Sequence, residues 1–143
     1  KAYDDLSTFK LYALDVGLLR QLSELDASVL LLSTPGYMEY KGALAENYVL
    51  QSLTAQFQAS FRYWTSGNKA EVDFLLQYDN HIYPIEVKAD QSITGKSLVQ
   101  YEKLFQPACR IRYSILNLKQ DGNLINIPLF LADKTKELLK DKS

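Results

Sequence analysis

The run Glu71-Val72-Asp73-Phe74-Leu75-Leu76-Gln77, followed after Asp79-Asn80 by Ile82-Tyr83-Pro84-Ile85-Glu86-Val87-Lys88, decides how this chain folds. Both halves are rich in branched and aromatic residues, which suit a pleated surface. Asp79-Asn80 between them is a turn signal, because both residue types tolerate the backbone of a tight hairpin. Side chains of a strand alternate faces, so Glu86 and Lys88 point one way while Ile85 and Val87 enter an apolar layer on the other. By the same parity Asp73 is expected on the face opposite Val72 and Phe74. Two adjacent strands would then gather Asp73, Glu86 and Lys88 on one face.

Working outward, residues 61–65 form another strand-like run, set off by Ser66-Gly67-Asn68. Three consecutive antiparallel strands are predicted over 61–65, 71–77 and 82–88. Upstream, Ala43, Leu50, Leu53 and Phe57 recur at helical spacing, and Glu46 falls on the same stripe, which places a charge on the buried face. Downstream, Leu98, Tyr101 and Phe105 mark a helix over 97–105, and 111–118 reads as a strand before the turn Asp121-Gly122. The order α-β-β-β-α-β predicts an α/β core over 39–127, a central mixed sheet flanked by helices. Ser33-Thr34-Pro35-Gly36 reads as a turn at its boundary. An accessory segment, 1–38, precedes it, with strand-like alternation over 9–14 and then Leu18, Leu22 and Leu25 at helical spacing, a stripe that needs an apolar partner. Residues 128–143 carry Leu131, Thr135, Leu138 and Leu139 on one side of a terminal helix expected to dock on the core.

With 143 residues, 47% hydrophobic and 23% charged, the chain has the proportions of one folded domain. A net charge of -1 gives no global field for the phosphates of a nucleic acid, so such a contact needs a local patch. Arg62, Lys69, Lys96, Lys103, Arg110 and Arg112 are the residues available for one. The single cysteine, Cys109, rules out an intrachain disulfide and suits a reducing cytoplasm. The apolar run at 29–32 is too short to span a bilayer, and no leader opens the chain. A cytoplasmic protein without membrane contact is expected. The chain opens at Lys1 in a pattern typical of a fold interior and is expected to be a piece of a longer polypeptide. Nothing in the sequence speaks to oligomeric state.

Carboxylates gathered on a covered sheet repel one another and lose hydration, and a divalent cation removes that cost. Asp73 and Glu86 are the expected ligands of Mg²⁺ or Mn²⁺, an ion that takes one or two carboxylates and completes its shell with water and phosphate oxygens. Lys88 would orient the attacking water or neutralise developing phosphoryl charge, and Glu46 would reach the same water network. The plainer alternative is a strand face of ordinary cross-strand ion pairs, with Glu71 facing solvent at the strand entry. Residues 90–97, Asp-Gln-Ser-Ile-Thr-Gly-Lys-Ser, approach a phosphate-binding loop, but Asp90 stands where its first glycine belongs, so no nucleotide is expected to bind. Ser97 reads instead as a helix cap. His81 reads as a surface turn residue, and Phe61, Tyr63, Trp64 and Phe74 as core rather than base-stacking groups.

Asp73 with Glu86-Val87-Lys88 on the next strand, in this element order and with Glu46 on the first helix, resembles the restriction-endonuclease-like PD-(D/E)XK nucleases. That resemblance implies that Glu46, Asp73, Glu86 and Lys88 serve metal-dependent hydrolysis of nucleic-acid phosphodiesters. A longer likeness covers Phe9-Lys10-Leu11-Tyr12, Asp15-Val16-Gly17-Leu18-Leu19, Lys41-Gly42-Ala43-Leu44-Ala45-Glu46-Asn47-Tyr48-Val49, Tyr63-Trp64-Thr65-Ser66, Glu71-Val72-Asp73-Phe74 and Pro84-Ile85-Glu86-Val87-Lys88. On these the chain is similar to the domain of unknown function that closes many prokaryotic AAA+-type ATPases. This implies an upstream ATPase domain as partner, and leaves a catalytically silent regulatory role as the alternative function. Recombination-type members of the nuclease class carry Gln-x-x-x-Tyr after the core. Here Gln100 and Tyr101 are adjacent, so no DNA contact transfers to them.

Overall fold

Asp79 and Asn80 both adopt positive φ, 49° and 60°, and close a two-residue hairpin between β2 (Glu71–Tyr78) and β3 (His81–Val87). The computed structural model describes residues 7–26, 28, 34–67, 70–90 and 95–140. The apolar run at 29–32, Ser33, Asn68, Lys69 and residues 91–94 and 141–143 lie outside the described residues. Tyr78 faces His81 and Phe74 faces Ile85, so the register follows from the turn. β1 (Arg62–Thr65) pairs antiparallel with β2, which completes the expected meander.

After β3 the chain crosses through α3 (Lys96–Phe105) to β4 (Arg110–Ser114), which pairs parallel with β3. The expected α-β-β-β-α-β order thus runs from α2 (Pro35–Gln56) to β4. A short hairpin follows, β5 (Lys119–Asp121) and β6 (Leu124–Pro128), with β6 inserted beside β4. Among the described residues the result is one six-stranded mixed sheet in the order β1-β2-β3-β4-β6-β5.

The sheet is covered on both faces. Ala45, Val49 and Leu53 of α2 pack with Phe74, Leu76, Ile85, Val87, Ile111, Tyr113, Ile125 and Ile127 in the larger core. Leu98 and Tyr101 of α3 pack with Val72, Trp64, Leu75 and Leu124 in a smaller one. A 3-10 segment (Leu129–Lys134) and α4 (Thr135–Lys140) return to the α2 face, where Ala132 and Leu139 are buried. Gln56 fastens that return: its amide donates to the Ala132 carbonyl at 2.8 Å and its Oε1 accepts from the Lys136 N–H at 3.0 Å.

Five local expectations change. The strand expected over 111–118 ends at Ser114, where the chain bends and the Ser114 hydroxyl accepts the Leu116 N–H at 3.1 Å. Pro35 begins α2 rather than a turn, since a missing N–H costs nothing in the first turn of a helix. The helix therefore starts four residues before the expected core boundary at 39. Residues 9–14 make no strand: the Ala13 N–H goes to Asn47 Oδ1 (2.9 Å) and the Val16 N–H to Gln51 Oε1 (3.1 Å), so side chains of α2 replace a strand partner. α1 (Val16–Leu22), capped by Asp15, buries none of its residues, and Leu18 and Leu22 stay exposed. Ser97 is not the cap of α3. Gly95 holds that position, and Ser97 Oγ accepts from the Glu71 N–H at 3.4 Å.

Candidate functional site

Asp73 sits where the alternation of β2 breaks. Arg62 faces Leu75, but Trp64 faces Val72, so β2 carries one extra residue against β1. As a consequence Val72 enters the α3-side core while Phe74 enters the α2-side core. Strict parity had placed both opposite Asp73; the bulge overturns that and turns the Asp73 carboxylate toward the end of the sheet. Its Oδ2 accepts the Val87 N–H at 2.7 Å, taking the place of a backbone carbonyl beyond the last β2–β3 pair, Phe74 with Ile85. Burial pushes the Asp73 carboxyl up to about 7, with Glu46 adding to the rise, against the Val87 N–H, Lys10 and Lys88.

Glu86 lies at the same end of β3 and is only 2% exposed. Its Oε1 pairs with Lys88 Nζ at 3.2 Å, as strand parity requires. Oε2 is buried with no hydrogen-bond partner among the described residues. A side chain at Gly95 would place its Cβ 3.3 Å from that oxygen, so the glycine is what allows the start of α3 to lie against the carboxylate. Lys88 is partly exposed, and its N–H is held by the Tyr113 carbonyl at 2.8 Å. It is the link between the two acids: it ion-pairs with Glu86, and its charge acts on Asp73.

Glu46 projects from α2 toward Asp73 rather than into the apolar core. Its Oε2 accepts the Tyr12 hydroxyl at 3.1 Å and lies 4.0 Å from Lys10 Nζ. The same ammonium lies 4.0 Å from Asp73 Oδ1 and ion-pairs with Glu71. Burial works against the Lys10 charge, but these carboxylates hold its pKa above the ordinary lysine value. Burial and Glu46 likewise keep the Tyr12 phenol protonated. Lys10, Tyr12 and Asn47 are site residues that periodicity misses. Asn47 is fully covered, with Nδ2 unpartnered among the described residues. The available signal was the pairing of Lys10 with Tyr12 on one side of an extended run whose other side is Phe9 and Leu11. Among the described residues no three His, Cys, Asp or Glu side chains form a metal-holding group.

The basic residues divide. Lys96, Lys103, Arg110 and Arg112 line one groove of about 640 Å³ beside α3, whereas Arg62 lines a cleft of about 730 Å³ with Lys10, Tyr63 and Asp73. Arg110 is engaged by Glu102 and Asn123, and Arg112 by Asn126. Trp64 stands edge-on to Tyr101 at 5.3 Å and Phe61 edge-on to Phe74 at 6.4 Å, in packing roles. Tyr63 instead meets the segment before α1, with its hydroxyl on Thr8 and Lys10 over its ring at 5.5 Å. His81 is exposed at the start of β3, and Cys109 packs partly buried against the larger core. No described helix is long and apolar enough to cross a membrane.

No curated protein and no solved structure matches the chain. A family model does, over residues 41–130, a span that holds Glu46, Asp73, Glu86 and Lys88 and every strand of the sheet. The chain therefore belongs to the family of the domain of unknown function DUF4143.

Proposed function

We propose that this domain has a restriction-endonuclease-like PD-(D/E)XK core, is carried by a prokaryotic AAA+-type ATPase, and hydrolyses nucleic-acid phosphodiesters with Mg²⁺ or Mn²⁺. The observation that supports this best is Glu86 Oε2, a buried carboxylate oxygen without a donor among the described residues, beside Lys88 and at the sheet end where Asp73 emerges. Such an oxygen is costly unless something satisfies it, and a divalent cation does so. Asp73 and Glu86 would hold that ion, and a third protein acid is not required of Mg²⁺. When bound, the metal supplies Lewis acidity toward the phosphate and a more acidic water.

The remaining work falls to the chain itself. Lys88, held by Glu86, would orient the attacking water and meet the charge that grows on the phosphoryl oxygens. Glu46 would accept hydrogen bonds from the same water. Lys88→Ala is expected to suppress cleavage while leaving metal affinity largely intact, whereas Glu86→Gln damages both. Cleavage of branched DNA, linear DNA and single-stranded RNA, assayed with the ATPase domain joined, is the test. Metal binding without cleavage of any of the three would count against a nuclease.

A second reading has its own support. Lys10 already pairs with Glu46, Glu71 and Asp73 from within the chain, an arrangement that suits a regulatory or protein-interaction domain in which the acids serve structure. In that case Asp73→Asn and Glu86→Gln would leave the ATPase partner's turnover altered but expose no metal-dependent step.

A further inference from the structure

We infer that the segment before α1 is a strap that guards the acid site: the Lys10 ammonium, held by Glu46, Glu71 and Asp73, opposes a divalent cation at Asp73 and Glu86, which binds fully only as the strap lifts. This rests on the metal reading of Asp73 and Glu86 given above.

The charge balance comes first. Glu46, Asp73 and Glu71 converge on a single ammonium, two of them at 4.0 Å and Glu71 in closer contact. A cation added at Asp73 would meet Lys10 as a like charge at short range, in surroundings that screen poorly. Docking of Lys10 therefore works against metal binding at that carboxylate.

The strap is also built to release. It is fastened chiefly by polar contacts: the Lys10 ion pairs, Lys10 over the Tyr63 ring, the Tyr12 hydroxyl on Glu46, the Ala13 N–H on Asn47 and the Tyr63 hydroxyl on Thr8, with the Tyr12 ring 5.5 Å from that of Phe74. Its large apolar residues face away from the core, with Phe9 81%, Leu11 87% and Leu14 84% exposed. Little apolar surface is lost when it lifts, so it belongs to the low-stability end of the fold, where local opening occurs without global unfolding. The cleft it roofs, bounded by Arg62, Tyr63 and Asp73, opens at the same time.

The test compares Mn²⁺ binding by calorimetry in the wild type, Lys10→Met and Lys10→Arg, each checked for folding by circular dichroism. A docked strap reduces apparent affinity by the fraction of open molecules, so Lys10→Met is expected to bind Mn²⁺ about tenfold more tightly, and Lys10→Arg like the wild type. Hydrogen exchange provides a readout on the unmodified protein: saturating Mn²⁺ should speed exchange of the Ala13 amide. Equal Mn²⁺ affinity in Lys10→Met and the wild type, or metal binding with Ala13 protection unchanged, overturns the strap and leaves the metal site standing. Absence of Mn²⁺ binding in all three proteins overturns the metal reading itself, and the strap falls with it.

Discussion

Asp73 is the residue least comfortable in its surroundings. Its carboxyl is raised from 3.8 to about 7, chiefly by burial and then by Glu46. Well below its ordinary value of 3.8 it is protonated in folded and unfolded chains alike and costs nothing. As pH rises from 4 to 7 the unfolded chain ionises first, so stability is lost through that window and stays lost above it. Asp73→Asn keeps an acceptor for the Val87 N–H, and in metal-free protein is expected to raise stability at pH 8 by on the order of 1–3 kcal/mol. Thermal melts at pH 8, 6 and 4 check this: the gain in Tm should shrink toward pH 4, and a gain that did not vary with pH would contradict it. At this scale the sequence was legible where chemistry follows strand parity, as for Glu86 and Lys88. Asp73 was legible as a candidate but not in its orientation, because a bulge depends on which residue of β1 faces it. Lys10 was hidden, since its partners lie 36 to 63 positions away in the chain.

The β2–β3 hairpin was readable because its turn chemistry is local. Asn80 at φ 60° tolerates a conformation that a β-branched side chain resists. Asn80→Val should cost about 1–2 kcal/mol and Asn80→Gly little, measured as a shift of the urea midpoint at constant slope. The return of the C-terminal segment was less readable, because it is secured by Gln56, whose side chain bonds two residues far along the sequence. Gln56→Ala leaves the Ala132 carbonyl and the Lys136 N–H without those partners and should destabilise by about 1–3 kcal/mol, seen in the same denaturation series. The β5–β6 hairpin escaped because β5 is Lys-Gln-Asp, exposed throughout, with no apolar alternation to reveal it. Residues 9–14 misled for the opposite reason: they alternate like a strand, yet the Ala13 N–H finds a side chain of α2 instead of a strand partner.

Across the molecule, the two helical layers fix the sheet from opposite faces and leave one end, where β2 begins and β3 finishes, to carry the acids. α2 brings Glu46 to that end, the bulge brings Asp73, and the start of α3 closes over Glu86 through Gly95. Gly95→Ala should accordingly perturb the site more than the fold, weakening metal binding with little change in Tm. Under the proposed function Asp73 and Glu86 would both be ligands of one divalent cation. Calorimetric titration of Mn²⁺ into the wild type, Asp73→Asn, Glu86→Gln and Lys88→Ala tests it most directly. Affinity is expected to fall by about tenfold or more in each acid variant and to be largely retained in Lys88→Ala. Equal Mn²⁺ affinity in the wild type and both acid variants would contradict it.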